Sequence, residues 1–338
     1  MPRIKVELSA EFITPCFGGT VSSNTSVSYP AELRETSIRG QISWWMRACG
    51  LDKNEVDWIM GSTKNGQSLV RFRKKSLVKN RMETEDWWTD PQYRACPKYL
   101  WFFVAPASSS RRDEANRVGQ KCISKGSTFT LELSCRPGKE AELRKIVAYT
   151  ILWITFGSIG SRSTRAGGCM KYSGIKGSPE AENLIRQFKG LEKAALPDLW
   201  KKLVPELGMK TTTPPFRLRY DDNVRPNEAN AALDWFANKW KIVRAELRSS
   251  QKGFWGLPFK EKIATEFEDK DGKTIKTERM TSHIHLRPLR TKEGDNTFYP
   301  AALIFDERMV LQGMDKVAGN RALDKFFPEE IKLNGGEQ

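Results

Sequence analysis

The fold is decided by residues 128–168, TFTLELSCRPGKEAELRKIVAYTILWITFGSIGSRSTRAGG. Residues 128–135 alternate polar and apolar side chains, which predicts a half-buried strand. The mostly apolar run at 146–156 predicts a buried helix that begins near residue 138. A glycine-rich turn at 157–168 and a short strand follow this helix. The stretch is therefore the second half of a β-α-β-β-α-β unit.

The preceding residues supply the rest of this unit. Residues 3–13 alternate apolar and polar side chains, which predicts a first strand. An amphipathic helix is predicted at 37–49, and strands are predicted at 68–75 and 99–104. Residues 105–120 contain few large apolar groups and are expected to form a mobile surface loop. The resulting order, with insertions, is that of a ferredoxin-like or RRM-like fold.

The second half of the chain is an eroded copy of the same unit. We therefore predict an α+β protein of two tandem ferredoxin-like (RRM-like) domains, residues 1–175 and 176–338, of which the second is more divergent. The predicted elements are a helical stretch at 179–206 interrupted at Pro197, a strand at 216–220, an amphipathic helix at 227–248, a hairpin turn at Asp271-Gly272, and strands at 281–288 and 297–305.

The chain of 338 residues is strongly basic. Its formal net charge is +15, from 56 Lys and Arg against 41 Asp and Glu. Residues 1–175 carry 27 basic and 16 acidic side chains, and the remainder carries 29 and 25. Such an excess suits a polyanionic partner, because each neutralised phosphate releases a condensed counterion. A solvated basic surface that serves solubility accounts for the charge equally well.

Several classes of protein are not supported by the sequence. Six cysteines are scattered without a Cys-x-x-Cys pair, so we expect reduced packing residues and neither a zinc site nor a disulfide framework. No apolar run approaches the roughly 20 residues of a membrane span. The first residues lack the apolar core of a signal peptide, and we expect a cytoplasmic protein without a cofactor.

Arginines and tryptophans are interleaved at residues 34–49, RETSIRGQISWWMRAC. Arg39 and Arg47 fall on one face of the predicted helix, away from its apolar stripe. Guanidinium groups bind phosphate and indoles stack on bases, which is the chemistry of a single-stranded RNA site. Tryptophans on a helix are equally consistent with core residues.

The glycine-rich turn is a second candidate. It follows a helix and lacks the Gly-Lys-Ser/Thr ending of a phosphate-binding P-loop. Its glycines would let backbone amides approach a nucleic-acid backbone while Arg162 and Arg165 project toward it. The alternative is an ordinary helix C-cap and turn.

The chain has only two histidines, His283 and His285, and their spacing puts both on one face of a strand. Such a pair could cleave RNA by general acid-base catalysis. No third imidazole and no carboxylate partner accompany them, so we favour a surface or interface pair without a catalytic role. The sequence contains no Gly-x-Ser-x-Gly elbow and no acidic cluster with metal-ligand spacing.

Several of these stretches together resemble one family. The chain is similar to the first-subunit family of type III-B CRISPR (Cmr) effector complexes, within the RAMP superfamily. The glycine-rich turn departs from the superfamily pattern, which more often alternates glycines at both ends. The stretches that carry the resemblance are FITPCFGG at 12–19, ELRETSIRGQISWWMRA at 32–48, GSIGSRSTRAGG at 157–168, KGFWGLPF at 252–259 and SHIHLRPL at 282–289.

The resemblance implies two ferredoxin-like domains and no intrinsic nuclease activity. It also implies a place in an antiviral RNA-guided complex, where the chain and other Cmr subunits hold the 3′ region of the guide RNA and its paired single-stranded target. No metal site is implied. The residues selected for RNA contact are Arg34, Arg39, Trp44, Arg47, Arg162, Arg165, Lys252 and Arg279.

Two other functions stay open. The chain could be a guide-processing endoribonuclease of the RAMP type that uses the histidine pair. It could also be a protein-protein adaptor, in which case the tryptophans mark an interface and the basic surface is incidental.

Overall fold

The structure is a computed structural model of the chain. It describes residues 3–18, 30–80, 85–93, 100–101, 104, 119–224, 228–246, 265–268, 274–277, 283–290, 297–305 and 323–333. Four predictions fall wholly or mostly outside the described residues: Lys252 and Arg279 as RNA contacts, the hairpin turn at Asp271-Gly272, the stretch KGFWGLPF, and the loop at 105–120 except for its last two residues.

The first four strands form one antiparallel sheet in the order β2-β3-β1-β4. β1 lies inside the sheet between β3 and β4, and its alternating sequence buries every second side chain. With one helix after β1 and another after β3, this is the ferredoxin-like arrangement that the sequence predicts. The strands are β1 (Ile4–Phe12), β2 (Val70–Val78), β3 (Thr128–Cys135) and β4 (Met170–Gly177).

Three helices accompany this sheet. The helix α1 (Glu35–Ala48) buries Ile38, Ile42 and Trp45, as its apolar periodicity predicts. The next helix is α2 (Lys53–Met60). Asp52 caps its start, because its carboxylate accepts hydrogen bonds from the backbone of the first turn, and Gly61 follows its last residue. α3 (Glu140–Phe156) is buried along almost its whole length because it packs on the sheet and on neighbouring helices.

The second sheet repeats the first. Its strands lie in the order β10-β5-β9-β8. When the strands of each unit are numbered from one to four along the chain, both sheets have the order 4-1-3-2. The two tandem ferredoxin-like domains predicted from the sequence are confirmed. The elements are β5 (Phe216–Tyr220), a helix named α6 here (Ala229–Glu246), β8 (Ile284–Leu289), β9 (Tyr299–Phe305) and β10 (Glu329–Ile331), with a hairpin of β6 (Thr265–Glu268) and β7 (Thr274–Thr277) inserted after α6.

Short helices connect the two units. They are α4 (Glu182–Ile185) and α5 (Leu196–Leu207), with 3-10 turns around them. Pro197 stands in the first turn of α5 and so begins a helix, where the sequence predicted an interruption. The α5 helix packs on α3, and the Tyr149 hydroxyl donates to the Leu207 carbonyl at 2.9 Å.

The core is shared between the units. Trp45 of α1 lies 5.7 Å from Phe216 and 5.5 Å from Phe305 between ring centroids, so the first helix packs directly on the second sheet. A second apolar cluster joins Phe17 and Trp101 to Trp240 of α6. Because both clusters draw on both units, the division at residues 175 and 176 stays a prediction.

The prediction of a strand at 99–104 is wrong. Leu100 is helical, Trp101 lies in a turn and Val104 lies in a 3-10 turn. The Trp101 ring packs 5.0 Å from Phe17 and 5.4 Å from Trp87, and its indole N–H donates to the Arg165 carbonyl at 3.0 Å. A short apolar run does not distinguish a strand from a buried turn, and tertiary packing of the rings decides here.

No helix in the described part of the chain is long and apolar enough to cross a membrane. The five cysteines within the described residues are buried free thiols, and Cys96 lies outside them.

Candidate nucleic-acid interface

The glycine-rich loop, residues 157–168, folds back on the segment 15–18. Ser161 donates its backbone N–H to Phe17 at 3.0 Å, and Gly168 donates to Pro15 at 2.7 Å. Gly168 has a φ of 65°, and a side chain there would place a Cβ 1.9 Å from the Ile159 carbonyl oxygen. The loop requires glycine for its own close packing.

Most of the amides in this loop are already used. The backbone N–H groups of residues 159, 161, 163, 165, 167 and 168 all donate to protein carbonyls. They are therefore engaged within the fold, and a phosphate cradle made of loop amides is not formed. Of the two predictions made from the sequence, the structural turn fits the geometry better.

The loop also touches the second sheet. Leu286 of β8 donates its N–H to Thr164 at 3.2 Å, and Arg165 forms a parallel bridge with Leu286. Arg287 of β8 is 4% exposed and donates to the carbonyls of Gly157 and Met170 at 3.1 and 3.0 Å. The sequence analysis missed Arg287, although a lone arginine between apolar residues of a strand is a recognisable signal for a buried cation.

The two loop arginines differ in exposure. Arg165 is 9% exposed, and its guanidinium carbon lies 4.3 Å from the centre of the Trp240 ring. Burial, with the positive charge of nearby Arg162, lowers the pKa of Arg165 to about 9. Arg162 itself is partly exposed. Arg162 is therefore the more accessible of the two, whereas Arg165 packs α6 against the loop.

The arginines of α1 are spread around the helix. Arg34 precedes the helix and pairs with Glu32 at 3.2 Å, in a pair whose side chains are 39% and 55% exposed. Arg39 donates to the Met60 carbonyl at 2.6 Å and lies over the Phe72 ring. Arg47 is exposed near the helix end and donates to the Ser43 carbonyl at 3.3 Å.

Trp44 packs between the two units. Its ring stacks on His285 with centroids 5.7 Å apart and meets Phe305 edge-on at 4.9 Å. The bases of a bound RNA would have to displace these contacts in order to stack on Trp44. The core alternative considered for the tryptophans fits this position better.

The backbone beside two of the predicted arginines is anchored at one place. Glu32, two residues before Arg34, donates its N–H to Gly18 at 3.1 Å, and Ser161, next to Arg162, donates to Phe17. Phe17 and Gly18 are consecutive, so the start of α1 and the loop are anchored side by side. Arg39 instead turns to the end of α2, where its guanidinium donates to the Met60 carbonyl.

Both histidines pack against neighbouring protein groups. His283 is 3% exposed, and His285 packs between the Trp44 and Phe305 rings. Among the described residues, no group of three or more His, Cys, Asp and Glu side chains is placed to hold a metal ion.

Comparison with known proteins agrees with this fold. The model of the RAMP superfamily matches residues 9–171, which contain the end of β1, β2, β3, α1 to α3 and the glycine-rich loop. This likeness covers slightly less than half of the chain, and the second sheet lies outside it. No curated protein matches the chain.

Solved structures share the fold along nearly the whole chain. Cmr1 from Pyrococcus furiosus, in its apo form, is 19% identical with a TM-score of 0.54, over 89% of this chain and 88% of that one. A chain of the type III-B Cmr-beta complex bound to cognate target RNA and AMPPnP, in the presence of ssDNA, is 12% identical with a TM-score of 0.59, over 96% and 99%. A chain of the type III-B Cmr-beta complex bound to cognate target RNA is 12% identical with a TM-score of 0.54, over 96% of this chain and 99% of that one. The fold of both units is therefore shared with these structures.

Proposed function

We propose that this protein is an RNA-binding structural subunit of a type III CRISPR effector complex. It holds the 3′ region of the guide RNA and its paired target in antiviral defence, together with other subunits of the Cmr type in the cytoplasm. The similarity of residues 9–171 to the RAMP superfamily and the likeness to chains of Cmr complexes support the assembly. The excess of basic side chains in the first unit supports RNA as the ligand.

The observation that carries the proposal is that Glu32 and Ser161, the backbone neighbours of Arg34 and Arg162, donate to the consecutive residues Gly18 and Phe17. Among the described residues, the side chain of Arg34 is engaged by one exposed ion pair, and such pairs contribute roughly 0 to 1 kcal/mol. A phosphate can therefore compete for its guanidinium at small cost. Two cations at one surface, on rigidly anchored backbone, suit the sugar-phosphate chain of an RNA.

Binding of single-stranded RNA across a salt series tests this proposal. We expect the logarithm of the association constant to fall with the logarithm of salt concentration, with a slope of about 0.7 for each phosphate bound. The variant Arg34→Gln/Arg162→Gln should bind more weakly and with a smaller slope. Lys201→Gln/Lys202→Gln, which removes two exposed charges on α5, is the matched control.

The outcomes separate the three functions considered. Wild-type protein that shows no salt-sensitive RNA affinity would favour the adaptor. Metal-independent cleavage of repeat-containing RNA that His285→Ala abolishes would favour the endoribonuclease. The burial of His283 and the stacking of His285 on Trp44 favour a subunit that grips RNA without cutting it.

A further inference from the structure

A basic cleft lies beside the first turns of α1, and no residue of the glycine-rich loop lines it. It has a volume of about 460 Å³ and lies between the first turns of α1, the start of β2 and the turn at 61–68. We call it the Arg39 cleft, because Arg39 lines it together with Arg3 and Arg71. Neither Arg3 nor Arg71 was selected from the sequence.

The charge of the Arg39 cleft is not balanced from within. Its lining contains three arginines and one carboxylate, Glu35. The Glu35 carboxylate accepts a hydrogen bond from the backbone N–H of Lys74 in β2, at 2.7 Å. This hydrogen bond is exposed to solvent. Among the described residues, the side chains of Arg3 and Arg71 make no hydrogen bond or ion pair, and the Nε of Arg39 has no hydrogen-bond partner. Guanidinium groups without carboxylates are the usual setting for an oxyanion.

The wall opposite α1 is a fixed turn. Ser62 and Gly66 exchange backbone hydrogen bonds of 3.1 and 2.9 Å, and the Ser62 hydroxyl accepts from Asn65 at 3.1 Å. Gly61 has a φ of 79°, and a Cβ there would lie 2.5 Å from the backbone nitrogen of Ser68. This wall therefore holds its shape without a ligand, and the cleft is formed before anything binds.

The first turn of α1 adds to the attraction for an anion. No side chain caps the helix start, and Thr36 of this turn lines the cleft. The free N–H groups and the positive end of the helix dipole favour a negative group. The only aromatic lining residue, Phe72, is 6% exposed and lies under Arg39, so the cleft offers charge and not a stacking surface for a base.

We propose that the Arg39 cleft binds a backbone phosphate of the RNA, through Arg3, Arg39 and Arg71. This inference rests on the proposed function and adds a second contact to it. The phosphate is a different one from that near Arg34 and Arg162, since neither of these two residues lines the cleft. The RNA thus follows α1 from its start toward the edge strand β2.

Arg3→Gln/Arg71→Gln tests the inference without disturbing the core, because both side chains are exposed. The probe is a fluorescent oligouridine of about 20 nucleotides, and its binding is followed by fluorescence anisotropy. The titrations are repeated at chloride concentrations from about 0.05 to about 0.5 M, a range over which counterion release changes the affinity measurably. Loss of one phosphate contact should lower the slope by about 0.7 and the affinity about fivefold near 0.1 M salt. The Lys201→Gln/Lys202→Gln control should keep the wild-type slope.

The possible results distinguish a failure of the cleft inference from a failure of the proposed function. If wild type binds RNA and the Arg3/Arg71 variant keeps its slope, the cleft inference is overturned and the proposed function stands. If wild type does not bind RNA, the proposed function itself is overturned. If inorganic phosphate raises the melting temperature of wild type but not of the variant, at matched ionic strength and with RNA binding unchanged, the cleft serves a free phosphate and the assignment to RNA is overturned.

Discussion

Arg287 of the second sheet donates a hydrogen bond from Nη1 to the carbonyl of Gly157, at 3.1 Å, where the glycine-rich loop of the first unit begins. A second bond from Nη2 reaches Met170, where the loop has ended. One buried side chain therefore holds both ends of the loop against the neighbouring unit. Among the described residues, no carboxylate pairs with it.

Replacement of this side chain should loosen the contact between the units. Arg287→Ala leaves two buried carbonyls without donors, so we expect the free energy of unfolding to fall by about 2 to 4 kcal/mol. Urea denaturation measures this loss. The control is Arg290→Ala, in which a partly exposed arginine over the Phe298 ring is removed at a cost of about 0.5 to 1 kcal/mol. Equal losses of stability in both variants would show that the two hydrogen bonds of Arg287 contribute no more than the ring contact of Arg290.

Arg165 and Trp240 should be energetically coupled. The guanidinium is 9% exposed and lies 4.3 Å from the ring centre, so a double-mutant cycle of Arg165→Met and Trp240→Leu should give a coupling of about 1 to 2 kcal/mol. The same Arg165→Met protein separates structure from RNA contact. A fold that is fully stable but binds RNA more weakly would return Arg165 to the RNA-binding set.

The buried thiols should be inert in the folded protein. Burial raises the pKa of Cys16 and of Cys49 to about 12, so at pH 8 roughly one thiol in 10,000 is the reactive thiolate. A Cys96→Ser protein should react with a disulfide reagent at none of its thiols until urea is added. Rapid reaction of Cys16 or Cys49 in the native protein would contradict the burial.

The same thiols should make stability depend on pH in the alkaline range. Their folded-state pKa lies above the ordinary value of 9.0, so their contribution is fully present below pH 9 and is lost as the pH rises toward 12. Each thiol should lower the free energy of unfolding by about 1.4 kcal/mol per pH unit in that window. Urea curves of Cys16→Ala, compared with wild type at pH 8 and pH 10, measure the share of one thiol.

Sequence patterns predicted the elements because their signals are local. The alternation in β1 and the apolar stripe of α1 each report a buried face within one element, and both were predicted within a few residues. The second unit was predicted only as a divergent copy of the first, and its sheet has the same strand order. The short apolar run around Trp101 carried no such signal, since its conformation is set by rings distant in sequence.

The site was harder to predict because it depends on long-range contacts. Sequence spacing puts Arg39 and Arg47 on an exposed helix face, but only the fold shows that Arg39 turns to the carbonyl of Met60. Arg165 and Trp240 are 75 positions apart, and no local pattern indicates that one covers the other. Arg3 and Arg71 are 68 positions apart in the sequence and become neighbours of Arg39 only when the sheet forms.

The bridge between Arg165 and Leu286 bears on how the protein can be built into a larger particle. β8 is an outer strand of its sheet, and exposed rims of this kind recruit strands from other chains. Here the molecule's own loop takes up that rim at Leu286. A strand from another chain could therefore pair with β8 at Leu286 only by displacing this loop.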